Sequence, residues 1–482
     1  MAMSSERSTV VVVLCVVSVL NLLTAECLVS YASDNSWSVY YVKPSDVEYC
    51  STHFQPCHIL DYYVNNSNMT SNSTFLFLKG LHILQSTAEI GNVTNLALIG
   101  VAGPEDSKIQ CEGTAGFYFW QLIPGNLTIS NLLFSNCGGE ILEGLCGALI
   151  LNTVLHLNMT NVIVENSTGY GLLGYNLLGN SLITGSVFRY NRATQECVGG
   201  NTWFHYSNCP SLDIATSLEI DSSEFLFGYQ PHLQFLAVDS GGLNFFMNCT
   251  NVHVNATSLT LYGNQGIFGG NAHFYFMLFT SISVTIENSY LGAGQALRGA
   301  GALVQIEAVN DEDSCSHRSL HFQNHHQLMY FSNVTFQENV AQISGAGFEI
   351  QDLGEPGHWC ANQLVVIENC QFRGNTIINS GRGGGGAAAH FSSYTFSHLV
   401  YPSFMKRNIQ IQFRNTAFES NIVHSYSRVF ESILSIESYV NVTFVNCTFI
   451  GNQGSAIYAF QTDIIFQGKN TFQNLELDCH CL

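Results

Sequence analysis

Between residues 409 and 421 apolar and polar side chains alternate, with Ile411 and Phe413 on one parity and Gln410, Gln412 and Arg414 on the other. After Asn415 the alternation resumes through Thr416 and Phe418, shifted by one residue. Period-two alternation with one apolar face describes a half-buried strand, and a one-residue phase shift means that the strand has turned a corner. Asparagine tolerates the left-handed or bridge backbone of such a corner better than most residues. The phrase recurs at 329–339, 365–375 and 442–452, with weaker copies that pivot on Asn131, Asn161, Gly185, Ser222 and Asn288. The corner asparagines Asn131, Asn161, Asn288, Asn333, Asn369, Asn415 and Asn446 are therefore expected to stack coil upon coil, their amides in a hydrogen-bonded ladder and the phenylalanines stacked inside.

Corner spacing is uneven, which excludes a strict short-repeat helix and places the surplus residues in loops at the other corners. Small residues follow each phrase, as in Gly147-Ala148, Gly301-Ala302, Gly345-Ala346 and Gly386-Ala387, and permit a tight re-entry into the next strand. The Phe-x-x-Asn tetrads that begin at Phe188, Phe336, Phe372, Phe418 and Phe449, with the Gly-Gly-Ala-like segments, resemble polymorphic outer-membrane-protein-type repeats. The head of the chain, with Tyr41-Val42-Lys43-Pro44, Cys50, Cys57 and the run from Phe75 to His82, is similar to that of secreted animal β-helix proteins.

The resemblance implies an all-β fold, a right-handed parallel β-helix with pectate-lyase-like coils and a small N-terminal cap. It is specific for fold and silent on function. The expected organisation is a signal peptide over 1–32, a cap with a local disulfide over 33–73, the β-helix over 74–476 and a tail over 477–482. Strands continue almost to the Cys479-His480-Cys481-Leu482 terminus without a polar cap, from which a truncated C-terminus is expected.

Composition narrows the function. Hydrophobic residues reach 46% and charged ones only 10%, which excludes intrinsic disorder. A net charge of −20 repels nucleic acid and anionic membrane surfaces. The apolar run from Val10 to Leu23, followed by small residues at Ala25, Ser30 and Ala32, reads as a leader, and no later stretch has spanning length. Secretion is expected, with no membrane attachment encoded outside the leader.

The sixteen cysteines less Cys15 and Cys27 of the leader leave an even number in an oxidising compartment, so disulfides are expected. The candidates are Cys50 with Cys57, Cys137 with Cys146, Cys197 with Cys209, and Cys315 with Cys360, while Cys370 and Cys447 face inward as small core residues. Of twelve Asn-x-Ser/Thr sequons, those at Asn65, Asn68, Asn72, Asn92, Asn126, Asn158, Asn166, Asn255 and Asn441 are the glycosylation candidates. Asn333 and Asn446 are corner residues and are expected to stay bare.

Candidate chemistry is sparse. The Asp311 to His326 segment is rich in acids and histidines but lacks a familiar zinc-ligand spacing, and the Gly381 to Ala387 run lacks the Lys-Ser or Lys-Thr of a phosphate loop. No metal or cofactor is expected, and no catalytic residue is assigned. The carboxylates are too scattered to form a visible hydrolase or lyase group, although Asp221, Asp239 and Arg298 could converge on one face. The sequence thus favours a non-catalytic recognition or adhesion surface for an extracellular glycan or protein. A β-helix polysaccharide lyase or glycoside hydrolase is the first alternative, and a structural matrix protein the second.

Overall fold

A computed structural model describes residues 37–473, except 50–55, 67–68, 114, 143–144, 195–196, 207–215, 230–239, 249–251, 278–281, 308–325, 353–362, 379–384, 394–408, 425–431, 438–439 and 461. The chain is a right-handed parallel β-helix. Each full coil lays one strand on each of three ladders, as in Ala272–Met277 on the first, Ile282–Glu287 on the second and Tyr290–Gly292 on the third. In the second half of the chain a short fourth ladder, with Gln295–Arg298 and Val340–Ser344, precedes the return to the first. Strands stack in parallel and in register, Phe274 upon Phe245 and Val304 upon Phe274.

The phase shift read in the sequence is visible as a bend. Ile411, Phe413, Thr416 and Phe418 are all buried, while Asn415 between them is exposed at φ 47°. The other corner asparagines, 131, 161, 288, 333, 369 and 446, have φ between 51° and 55°. Their inward neighbours build the core as stacks along the axis. Phe336, Phe372, Phe418, Phe449 and Phe472 follow one another at 4.6, 5.2, 4.5 and 4.8 Å between ring centroids.

Two asparagine ladders run along the coil, and the stronger is not the corner one. Corner amides pair only in stretches, Asn161 with Asn131, Asn333 with Asn288, and Asn446 through Asn415 to Asn369, and Gly185, Ser222 and Ser258 occupy the corner between Asn161 and Asn288. The continuous ladder is buried. Asn191, Asn201, Asn264, Asn271, Asn339, Asn375, Asn421 and Asn452 each donate Nδ2–H to the next Oδ1 at 2.9–3.0 Å as far as Asn452. The second hydrogen of each amide goes to a backbone carbonyl, as from Asn375 to Phe336 O at 2.9 Å. Six of these eight, all but Asn201 and Asn264, are the last residue of a Phe-x-x-Asn tetrad, Asn271 closing Phe268-Gly269-Gly270-Asn271.

At the N-terminal end, Ser38–Val42 is already a rung in register with Ser73–Phe77, so the cap region contributes a strand. The short helix Leu60–Asn65 closes the interior with Leu60 and Tyr63, whose hydroxyl donates to Tyr41 O and Pro56 O. Tyr62, its neighbour, stays exposed. In the last described coil Phe466 and Phe472, stacked on Phe444 and Phe449, are 49% and 41% exposed.

The disulfides correct two expected pairings. Cys137 bonds to Cys111 and Cys146 to Cys197, so neither Cys137–Cys146 nor Cys197–Cys209 forms. Cys111 and Cys137 lie on neighbouring coils with Cα atoms 4.8 Å apart, a proximity that arises from stacking and is invisible in linear spacing. Cys57 is also disulfide-bonded, and Cys50, Cys209, Cys315 and Cys360 lie outside the described residues. Cys370 and Cys447 are buried free thiols, and burial pushes the Cys370 thiol up to about 12.

Candidate functional site

Inward alternation on the first ladder commits Phe204, Phe245 and Phe274 to the core, so the residues between them point outward. One outward row reads Trp120, Asn152, Tyr175, His205, Phe246, Tyr275, Gln305, Gln351 and Ser392 in successive coils. The adjacent row reads Tyr118, Ile150, Leu173, Trp203, Asn244, His273, Leu303, Glu349 and His390. Of these nine coils, the first six hold all the Trp, Tyr and Phe side chains, with Asn152 and Ile150 as the one interruption, and the last three hold none.

The aromatic part is half-buried and mutually packed. His205 stacks on Phe246 at 4.5 Å and Phe246 on Tyr275 at 5.0 Å, while Trp203 lies 5.7 Å from Tyr175 and 5.3 Å from His205. Tyr118, Tyr175 and Trp203 also pack on a second apolar cluster of Ile150, Tyr170, Leu173 and Val198, outside the main core. The Cys146–Cys197 disulfide ties the Val198 segment to this face. Burial lowers His205 to about 4, and its Nδ1 has no partner among the described residues. At the first coil the Trp120 indole lies over Gly91, where any Cβ would collide with the ring at 2.0 Å. Trp120 also lines a cleft of about 460 Å³ with Tyr63, Glu89 and Asn92.

From His273 into the polar part a hydrogen-bonded chain crosses three coils. His273 Nε2 lies 2.9 Å from Gln305 Oε1, Gln305 donates to Gln351 Oε1 at 2.8 Å, and Gln351 donates to Glu349 Oε1 at 3.0 Å. Glu349 is fully buried and takes an ion pair from Arg298 at 3.1 Å and the Ser344 hydroxyl at 2.9 Å. Burial raises the Glu349 carboxyl, and Arg298 opposes that rise. One coil on stands His390, fully buried with neither ring nitrogen partnered among the described residues. Burial, with Arg298 adding to it, lowers His390 to about 3, so its ring is neutral.

Glycines make room for this row. Gly345 and Gly386 have φ 60° and 77°, and a Cβ on either would strike Glu349 or the Ala389–His390 backbone. Both precede the row residue by four positions, as Gly269 precedes His273, and that spacing is the sequence signal that marks Glu349 and His390.

Asp221 does not join Arg298. It sits at the end of the second-ladder strand Thr216–Asp221 and accepts from Thr257 Oγ1 at 2.6 Å and from Ser222. Asp239, Asn68, residues 311–325 and Gly381–Gly384 lie outside the described residues. Among the described residues no group of three or more His, Cys, Asp or Glu could hold a metal, and no helix is long and apolar enough to cross a membrane.

The described sequons separate by face. Asn126, Asn158, Asn255 and Asn441 lie on second-ladder strands; Asn333 and Asn446 stand at the corner after it, and Asn166 at the corner after the third ladder. Asn65, Asn72 and Asn92 belong to the first coils, with Asn72 and Asn92 at left-handed positions. Neither outward row of the first ladder contains a sequon, and Asn248, just past Leu243–Met247, stands at their margin.

No known protein family matches the chain, and no curated protein matches it. Among solved structures, the catalytic unit of a thermostable GH87 α-1,3-glucanase from Streptomyces thermodiastaticus is similar at 11% identity, covering 88% of this chain and 67% of that one, with a TM-score of 0.33. Pectate lyase Pel9A is similar at 11% identity over 82% of this chain and 79% of that one, TM-score 0.33. The A-module of the mannuronan C-5 epimerase AlgE4 of Azotobacter vinelandii is similar at 9% identity over 87% and 93%, TM-score 0.35. Likenesses this weak carry no activity over to this chain.

Proposed function

We propose that this protein is a secreted or cell-surface glycoprotein of the polymorphic outer-membrane-type repeat kind, whose first-ladder face binds an extracellular glycan without cleaving it. The observation that carries this reading is the pair of outward rows from Trp120 to Tyr275. Half-buried aromatic side chains alternate there with amide and imidazole groups, on rows without a sequon. Aromatic faces cover the C–H side of a sugar ring, and the half-buried Asn152 and His205 stand beside them as polar partners for its hydroxyls, whereas Asn244 is buried with its amide committed to Thr202 O and Ser240. A glycan array probed with the secreted chain in calcium, with an assay of the bound polysaccharides for released reducing or unsaturated ends, tests it. Binding without release supports the reading, and release overturns it.

A second reading, an extracellular polysaccharide lyase or glycoside hydrolase, is favoured by one observation: Glu349, His390 and Arg298 gather beside the same rows. Against it, the only carboxylate described in this cluster is fully buried and already neutralised by Arg298, which leaves it no free acid or base role.

A further inference from the structure

The corner after the third ladder is left-handed in every coil from Asn136 onward, with φ 55° at Asn136, 55° at Asn166, 58° at Tyr190 and 50° at Phe227. Backbone hydrogen bonds stack these residues rung on rung, from Asn166 N to Arg189 O and from Tyr190 N to Leu226 O. Later coils fill the same corner with Gly263, Ala293, Glu338, Gly374, Ser420 and Gly451, which are small or polar. A bulky aromatic at positive φ is strained, and strain of this kind persists where something offsets it. Burial does not, because Tyr190 is 48% and Phe227 40% exposed.

The two rings stack in parallel at 5.3 Å, so Phe227 covers one face of Tyr190. The opposite face is turned toward the preceding coil, where Asn166 occupies the same corner as the first residue of Asn166-Ser167-Thr168. Asn166 is exposed and makes no side-chain hydrogen bond among the described residues. Asn333, at the other corner, has its Nδ2 committed to Asn288 at 2.9 Å.

We propose that Asn166 carries an N-linked glycan whose first sugar rests on the free face of Tyr190. This rests on the export reading above, because the modification requires passage through a glycosylating compartment. The sugar's C–H face removes the exposed ring from water, which offsets the strained aromatic corner. The stack is then a seat for a covalently attached sugar, distinct from the first-ladder face.

The test uses the full chain secreted from eukaryotic cells, as wild type and as Tyr190→Ala. Peptide mass spectrometry reads occupancy at each sequon. Thermal melts compare the intact glycoprotein with one trimmed to single sugars and one fully deglycosylated. The expected result is an occupied Asn166, an unchanged midpoint after trimming, and a drop of a few degrees on full removal that is smaller in Tyr190→Ala. A bare Asn166 in a chain glycosylated at Asn158 and Asn255 overturns the proposal and leaves export standing. A chain bare at every sequon overturns both. An occupied Asn166 with equal drops in the two proteins overturns the seating of the sugar on Tyr190.

Discussion

Asn375 donates its Nδ2 hydrogens to Asn421 Oδ1 and Phe336 O, and its own Oδ1 accepts both the backbone N–H and the side-chain amide of Asn339. Each rung therefore satisfies groups of three coils where no water reaches. Asn375→Leu orphans the two Asn339 donors and removes the side-chain bond to Phe336 O, at about 1–3 kcal/mol for each buried group left unpaired. The expected loss of about 3 kcal/mol or more appears as a lowered denaturant midpoint. Asn415→Gly keeps the left-handed corner and leaves its exposed partners Asn369 and Asn446 to water, and is expected to cost less than about 1 kcal/mol.

The Arg298–Glu349 pair predicts a pH-dependent defect. Arg298→Ala leaves a fully buried carboxylate without its cation, and breaking such a pair costs about 3–5 kcal/mol. Without Arg298 the carboxyl rises further, so the variant is expected to recover part of its loss as pH falls and Glu349 takes a proton. Adding Glu349→Gln to Arg298→Ala should remove that recovery. Denaturant melts of the single and double variants at neutral and acid pH check this.

His390 works in the opposite sense. Its ring is held neutral at about 3, below the usual 6.5, so its contribution is complete above 6.5 and is lost as pH falls toward 3. Across that window each pH unit weakens the fold by about 1.4 kcal/mol. His390→Leu is expected to flatten that part of the stability profile, with a residual slope from His205 and His82, which burial also lowers.

Non-reducing peptide mapping should recover Cys111 joined to Cys137 and Cys146 joined to Cys197. These bridges close loops of 26 and 51 residues, and each is expected to contribute about 3–4 kcal/mol through the unfolded chain. Recovery of a Cys137–Cys146 peptide would refute this pairing.

The coil itself was legible because strand parity and corner chemistry are local: Ile411, Phe413, Asn415, Thr416 and Phe418 lie within eight residues. The buried ladder was half-legible. Its tetrad asparagines recur visibly after phenylalanine, but Asn201 and Asn264 carry no such marker and join through stacking alone. The disulfides were misread for the same reason, since neighbours on adjacent coils are separated in sequence by whatever loops intervene. The Arg298–Glu349 contact spans 51 residues and joins the fourth ladder to the first, so neither partner announces the other.

The central claim is that the first-ladder face is the recognition surface. The most direct measurement is a calorimetric titration of the best array glycan against wild type, Trp203→Ala and Phe246→Ala, with Tyr290→Ala on the third ladder as the control. The account predicts at least a tenfold loss of affinity in the two first-ladder variants, no change in the control, and no sugar released from any sample. Equal affinity in all four proteins, or released product, would contradict it.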